Sequence, residues 1–259
     1  MRSSRLFATQ RAWMLTLLLL ATALSGCTAP EGDGGGPGTL TIGTEAAYAP
    51  FEDRAPDGTI RGFDIDVMRE ITNRTGHEVT FQDMQFNAII PSIKNGQLDA
   101  GISAFTITDE RKREVAFTVP YYDNELLVAT AAGNDEIQEP ADLEGERVCT
   151  QQGTTAEQWL RRNVDADNET LMLLNSFPPC AEAVKRGDAA AMMIDKAAVR
   201  SLIAESGGDL QEAFTVSTGE QFGIAVAKEN SELLSAFNTA LQAMKQDGTM
   251  ETLEDKWQV

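Results

Sequence analysis

The 259-residue chain carries 21 Lys and Arg against 40 Asp and Glu, a formal net charge of −19, with one histidine and three cysteines. A field of that sign disfavours nucleic acid and anionic membrane surfaces and favours cationic small molecules, though it equally suits solubility or a saline habitat. No residues stand at metal-ligand spacing, and the lone histidine, His77 in "NRTGHEV", falls in a turn after a helix, which argues against His-dependent catalysis.

At the N-terminus, Arg2, Arg5 and Arg11 form a positive n-region, "AWMLTLLLLATAL" is an apolar stretch short for a membrane span, and "LSGC" closes it. The residues before Cys27 resemble a lipobox. That implies a signal peptide over 1–26, cleavage before Cys27 and acylation of its sulfur, and two acyl chains at about 0.8 kcal/mol per buried CH₂ anchor stably. Residues 27–38 then read as a lipidated cysteine and a flexible Gly/Pro-rich linker. Losing 1–26 removes three cations and no acid, leaving 18 basic against 40 acidic residues, a net −22. With Cys27 acylated, Cys149 and Cys180 remain. An exported chain sits where disulfides persist, so a bridge is expected, two buried free thiols being the alternative.

From Thr39 onward, strands are expected at "TLTIGT", "EVTFQ", "DAGIS", "ELLVAT", "RVCTQQ", "TLMLL", "AAAMMI" and "GIAVA", several of the buried parallel kind. "DIDVMREITNRTG" places Ile65, Met68, Ile71 and Thr72 on one helical face and stops at Gly76. "SELLSAFNTALQAMKQDG" turns Leu233, Leu234, Phe237, Leu241 and Met244 inward, with Ser231 as expected N-cap. "NAIIPSIKNG" is a helix that Pro91 must kink unless it sits in the first turn. "IKNGQLDAGIS" and "VKRGDAAAMMI" repeat a helix-stop-strand pattern about 90 residues apart, which suggests two similar α/β lobes with a cleft between them.

In open α/β sheets ligands bind beyond the carboxyl ends of strands. The residues that follow the strands here are Glu45 and Tyr48, then Ser103, Thr106 and Arg111, then Thr154 and Thr155, then Asp195. A guanidinium, carboxylates, hydroxyls and an aromatic wall together suit a small zwitterion. In "FTITDERKRE", Thr108 is the expected N-cap, which puts Arg111 at N3. A cation there is misplaced in the macrodipole unless an anion binds it, whereas Lys112 and Arg113 read as surface charge.

"GTEAAYAPFE", "GFDIDV", "FNAIIPSIKNGQLDAGIS", "TITDERKREVAFTVPYY", "QGTTAEQW" and "FGIAVAKEN" followed by "DGTMETLEDKW" resemble the extracellular solute-binding proteins of polar amino acid ATP-binding-cassette importers. The resemblance runs from Thr39 to Trp257. It implies an α/β, two-lobed, type II periplasmic-binding-protein fold with two hinge strands: lobe 1 over 39–126 and 223–259, lobe 2 over 130–219, hinges at 127–129 and 220–222. It further implies that Arg111 pairs with a ligand α-carboxylate, with Ser103 and Thr106 at the adjacent hydroxyl positions and Thr155 closing on the same carboxylate. Asp195 would accept the α-ammonium, Tyr48 and Phe86 would sandwich the side chain, and Glu45 and Asp64 would face a cationic side chain. Gln151 and Thr154 complete the expected ligand set. Ala104 stands where many relatives have a serine, and Ala190 in "GDAAA" where they have an aspartate. "VCTQQGTT" and "PPCAEAV" resemble relatives that bridge these cysteines.

The function implied is an exported monomeric receptor, lipid-anchored to the outer face of the cytoplasmic membrane or periplasmic, that captures an amino acid and passes it to permease and ATPase subunits. No cofactor and no enzymatic activity are expected. A basic amino acid, arginine first, suits the acids, with glutamine, cystine or another polar amino acid as the alternative. Some proteins that look like this family are periplasmic dehydratases, which is the rival from another class.

Overall fold

The computed structural model describes residues 38–164 and 169–259. The signal peptide over 1–26, acylation at Cys27 and the linker up to residue 37 lie outside the described residues.

The chain opens with β1 (Thr39–Thr44) and a small antiparallel sheet of β2 (Ala47–Tyr48), β3 (Glu52–Arg54) and β4 (Ile60–Arg61). Helix α1 (Phe63–Thr75), β5 (Glu78–Asp83), α2 (Phe86–Lys94), β6 (Ala100–Gly101), α3 (Asp109–Glu114) and β7 (Ala116–Phe117) follow. Strand β8 (Tyr122–Ala131) leads into the second half, which holds a 3₁₀ turn over Pro140–Leu143, β9 (Val148–Gln151), α4 (Thr155–Asn163), β10 (Leu171–Leu174), α5 (Pro178–Arg186), β11 (Ala191–Asp195) and α6 (Lys196–Glu205). The long β12 (Leu210–Phe222) returns the chain to β13 (Ala225–Val226), α7 (Ser231–Gln246) and α8 (Thr249–Trp257).

Two five-stranded sheets result, one per lobe, ordered β5-β1-β6-β13-β7 and β10-β9-β11-β8-β12. They share one plan. In each, the first strand pairs in parallel with the second on one side and the third on the other, and an antiparallel strand seals the far edge of the third. The repeated sequence pattern maps onto this plan, since α2 feeds β6 and α5 feeds β11, each the central strand of its sheet.

Helix α1 forms as its periodicity requires. Ile65, Met68, Ile71 and Thr72 are buried, and Gly76 closes the helix at φ 75, a left-handed value that costs glycine nothing. At its start Gly62 has φ 140, and a Cβ there would lie 2.0 Å from the Phe51 carbonyl oxygen, so only glycine lets the β2–β3 turn approach α1 so closely. Helix α7 buries Leu233, Phe237, Leu241 and Met244, but its N-cap is Asn230, whose side chain accepts from the Leu233 N–H at 3.1 Å, rather than Ser231. Pro91 lies beyond the first turn of α2, and the helix ends three residues later at Lys94.

Two strands cross between the lobes side by side. Tyr122, Asp123 and Asn124 of β8 pair with Phe222, Gln221 and Glu220 of β12, and a bulge in β12 separates this crossing from the pairing of Leu126 with Val216. Residues 127–129, expected at a hinge, are held mid-sheet between β11 and β12, with Val128 opposite Met193 on one side and Phe214 on the other. Phe51, Tyr122 and Phe222 gather under the crossing with ring centroids 5.3–5.4 Å apart. A disulfide joins Cys149 of β9 to Cys180 of α5, with Cα atoms 5.4 Å apart, so these thiols are not free.

Candidate functional site

The carboxyl ends of β1, β6, β9 and β11 point into the seam between the lobes, where a narrow cavity lies. Glu45, Tyr48, Phe86, Ser103, Ala104, Thr106, Arg111, Gln151, Thr154, Thr155 and Asp195 line it, together with Glu52. The structure therefore brings together every residue expected from the sequence except Asp64.

Arg111 is positioned by the short helix α3, where Thr108 is the N-cap and its hydroxyl accepts the Arg111 main-chain N–H at 3.1 Å. That N–H is spent on the cap, and of the α3 residues only Arg111 lines the cavity. Its guanidinium donates to the Thr106 carbonyl at 2.8 Å and, across the seam, to the Gly153 carbonyl at 3.2 Å. Its carbon lies 5.2 Å from the Phe86 ring centroid and 5.5 Å from that of Phe105, so two stacked aromatics back the cation. Burial pushes its pKa down to about 10, which leaves it charged at neutral pH. Among the described residues no carboxylate forms an ion pair with it.

Acids surround this cation. Asp195 ends β11, accepts from the Tyr48 hydroxyl at 2.6 Å across the seam and from the Asn124 amide at 2.6 Å, and burial raises it to about 7. Glu45 follows β1 and accepts from the Gln151 amide at 2.6 Å, again across the seam, and burial raises it to about 7 against the opposing pull of that hydrogen bond. The Ser103 hydroxyl accepts the Glu45 main-chain N–H at 3.1 Å and donates to Glu52 at 2.6 Å.

Asp64 stands behind this layer. It is fully buried, accepting from the Ala104 N–H at 2.7 Å and the Tyr121 hydroxyl at 2.8 Å, and it never reaches the cavity. Its expected place facing a ligand is taken by Glu52, which the sequence reading passed over. The two carboxyls sit side by side in the interior, and burial raises both, Asp64 to about 6 and Glu52 well above the usual carboxylate range. Glu52 Oε2 receives no N–H or O–H from the protein, so a proton on it shared with Asp64 satisfies the pair. "PFE" after the first strand was a signal for Glu52, but nothing in its spacing separated it from a solvated turn acid. Asp64 also fixes Ala104, which holds φ 46, a left-handed value that L-residues adopt at a cost, beside the cavity.

A fold of two matched lobes over a cavity lined by one cation and several acids is that of a solute-binding protein. The chain belongs to the bacterial extracellular solute-binding proteins, family 3, whose model matches residues 40–259. It is similar to the L-cystine-binding protein TcyJ of Escherichia coli (strain K12), 29% identical over 221 residues, covering 85% of this chain and 82% of that protein. It is likewise similar to the ABC transporter arginine-binding protein 1 of the same strain, 33% identical over 245 residues, 92% of this chain and 96% of that one. Among solved structures, an ancestral arginine-binding protein bound to arginine matches with a TM-score of 0.82 and 35% identity, over 86% of this chain and 99% of that one. No helix among the described residues is long and apolar enough to cross a membrane, and no group of three His, Cys, Asp or Glu there is placed to hold a metal ion.

Proposed function

We propose that the protein captures a free amino acid, with a basic one and arginine first in preference, by closing its lobes and then presents it to the permease and ATPase of an importer. The observation that carries this reading is the charge inventory of the cavity. One buried guanidinium has no carboxylate partner, and Asp195, Glu45 and Glu52 face the same space. A ligand with one carboxylate and two cationic groups complements that inventory: carboxylate to Arg111, α-ammonium to Asp195, side-chain cation to Glu45 between Tyr48 and Phe86. Cation–π contact with the aromatics adds roughly 0.5 to 2 kcal/mol. The arginine-binding names among the relatives and structural neighbours support the same choice.

Closure draws on the bonds that already span the seam, Tyr48 to Asp195 and Gln151 to Glu45, with ligand contacts made only in the closed form shifting the population toward it. We place the hinge at the paired crossing, residues 119–124 and 217–223, where the bulge in β12 loosens the register. Acylation of Cys27 would tether the chain outside the cytoplasmic membrane, and a single copy suffices to build the site.

A second reading, glutamine, cystine or another polar amino acid, is favoured by two facts: burial raises Glu45 toward its neutral form, which can accept from a neutral amide, and a neighbouring structure is an ancestral arginine-binding protein bound to glutamine. A dehydratase-like activity has less support, because the buried acids are committed to Gln151, Ser103 and Tyr48. Titration calorimetry against the amino acids decides. Glu45→Gln is expected to weaken arginine at least about tenfold more than glutamine, as for loss of a charged hydrogen bond. Equal losses would remove Glu45 from side-chain recognition, and turnover of a prephenate-like acid would replace the receptor reading.

A further inference from the structure

β12 delivers Glu220 to the seam, where its Oε2 accepts from the Thr155 hydroxyl at 3.0 Å and the Thr106 hydroxyl at 3.3 Å. The same oxygen accepts from the Asn124 amide at 3.3 Å, and that amide nitrogen also donates to Asp195 Oδ1 at 2.6 Å. Thr106 belongs to the first lobe and Thr155 opens α4 in the second, while Asn124 and Glu220 are paired across the crossing strands. One carboxylate oxygen thus collects donors from both lobes and from their connection. Glu220 itself is not in the cavity lining; the two threonines are.

A threonine hydroxyl has one proton and two lone pairs. With their protons committed to Glu220, Thr106 and Thr155 offer the cavity only lone pairs, which an ammonium satisfies and a carboxylate does not. Among the described lining residues the one cation is Arg111, and α4 adds the main-chain N–H groups of its first turn, which have no partner within the helix. Donors and acceptors for a head group are therefore segregated, and Glu220 is the group that segregates them.

We propose that Glu220 is a positioning residue for the amino acid head group: by holding the hydroxyl protons of Thr106 and Thr155 it turns both oxygens toward the α-ammonium and confines the α-carboxylate to Arg111. The Thr155 hydroxyl is thereby reassigned from the carboxylate, to which its main-chain N–H is left. The assignment rests on the amino acid reading above.

The test titrates the full chain by calorimetry with L-arginine and with 5-guanidinopentanoate, which is arginine without its α-amino group. Wild type, Glu220→Gln and Glu220→Ala are compared; Glu220→Gln keeps the shape and one acceptor, so a folded variant is available. Wild type should prefer arginine, and Glu220→Ala should lose about tenfold or more on arginine while the des-amino acid changes less than about threefold, so the preference narrows; Glu220→Gln, whose amide oxygen can stand in for Oε2, should lose less. Equal losses on both ligands, which a merely structural role produces, or an unchanged preference would overturn the role of Glu220 and leave the amino acid reading standing. A wild-type protein that binds neither L-arginine nor any other amino acid would overturn both.

Discussion

Arg111, Lys112 and Arg113 are consecutive, yet the fold gives them different surroundings. Arg111 lies between two carbonyls and two aromatic rings at the cavity, whereas Lys112 has a side chain 55% exposed and pairs with the exposed Asp109 at 3.8 Å. A desolvated charge is expensive unless paired, so an arriving carboxylate gains most at Arg111 and almost nothing at an exposed lysine. Arg111→Ala should weaken amino acid binding by about 2 to 5 kcal/mol, the range for truncating one partner of a buried charge pair. Lys112→Ala and Arg113→Ala should leave it within about 0.5 kcal/mol. Calorimetry on the three variants checks this, and wild-type affinity in Arg111→Ala would remove the guanidinium from the site. Arg111→Lys keeps the charge but not the planar fork, and should recover only part of the loss.

The elements show which parts of this arrangement were readable in advance. Strand ends followed by polar residues announced the cavity, because β1, β6, β9 and β11 carry apolar runs that can only be buried and their exits are fixed by the chain. Only the end of β12 was announced, by the hinge expected at 220–222. The rest is an edge strand, "LQEAFTVSTGEQF", whose exposed face carries polar and charged residues and whose Gly219 marks a break, so it reads as loop. Glu220 fell within the expected hinge but nothing marked its carboxylate for the seam, and depth within the first lobe hid the exchange of Asp64 for Glu52, since burial along α1 depends on the turn that Gly62 admits rather than on spacing. Among the described residues the Cys149–Cys180 bridge is the one covalent tie between elements, clamping α5 onto the strand that leads to Gln151, Thr154 and Thr155. With a sequence separation of 31, it constrains the unfolded chain by about 3.5 kcal/mol. Replacing both cysteines by serine should lower the urea midpoint by that equivalent while leaving the amplitude of ligand binding intact; an unchanged midpoint would mean that α5 holds to β9 without it.

At the scale of the whole molecule, the acids of the seam tie capture to pH. Glu45 and Asp195 rise to about 7 and Asp64 to about 6, all chiefly because burial disfavours the charged form. Such carboxyls titrate near 4 in an unfolded chain. A group whose folded pKa lies above its unfolded value contributes stability that is complete below the unfolded pKa and is lost as the pH climbs through the folded one. The ligand-free protein should therefore lose stability from these groups between about pH 4 and pH 7. A bound cation reverses the sign. Glu45 faces the Gln151 amide and the Phe86 main-chain N–H, which favour its charge, and Asp83, which opposes it but is itself paired with Arg54 at 2.5 Å. A ligand guanidinium would settle the balance for the ionised form, so below pH 7 binding expels the proton. Affinity for arginine should then rise with pH by up to about tenfold per unit at Glu45, on top of the Asp195 step that any α-ammonium shares, and flatten above pH 7. Glutamine experiences only the Asp195 step. The ratio of arginine to glutamine affinity should consequently widen between pH 5.5 and pH 7.5, with proton release measured by calorimetry in buffers of different ionisation enthalpy larger for arginine. A ratio that stays flat over that interval would place the side-chain cation away from Glu45.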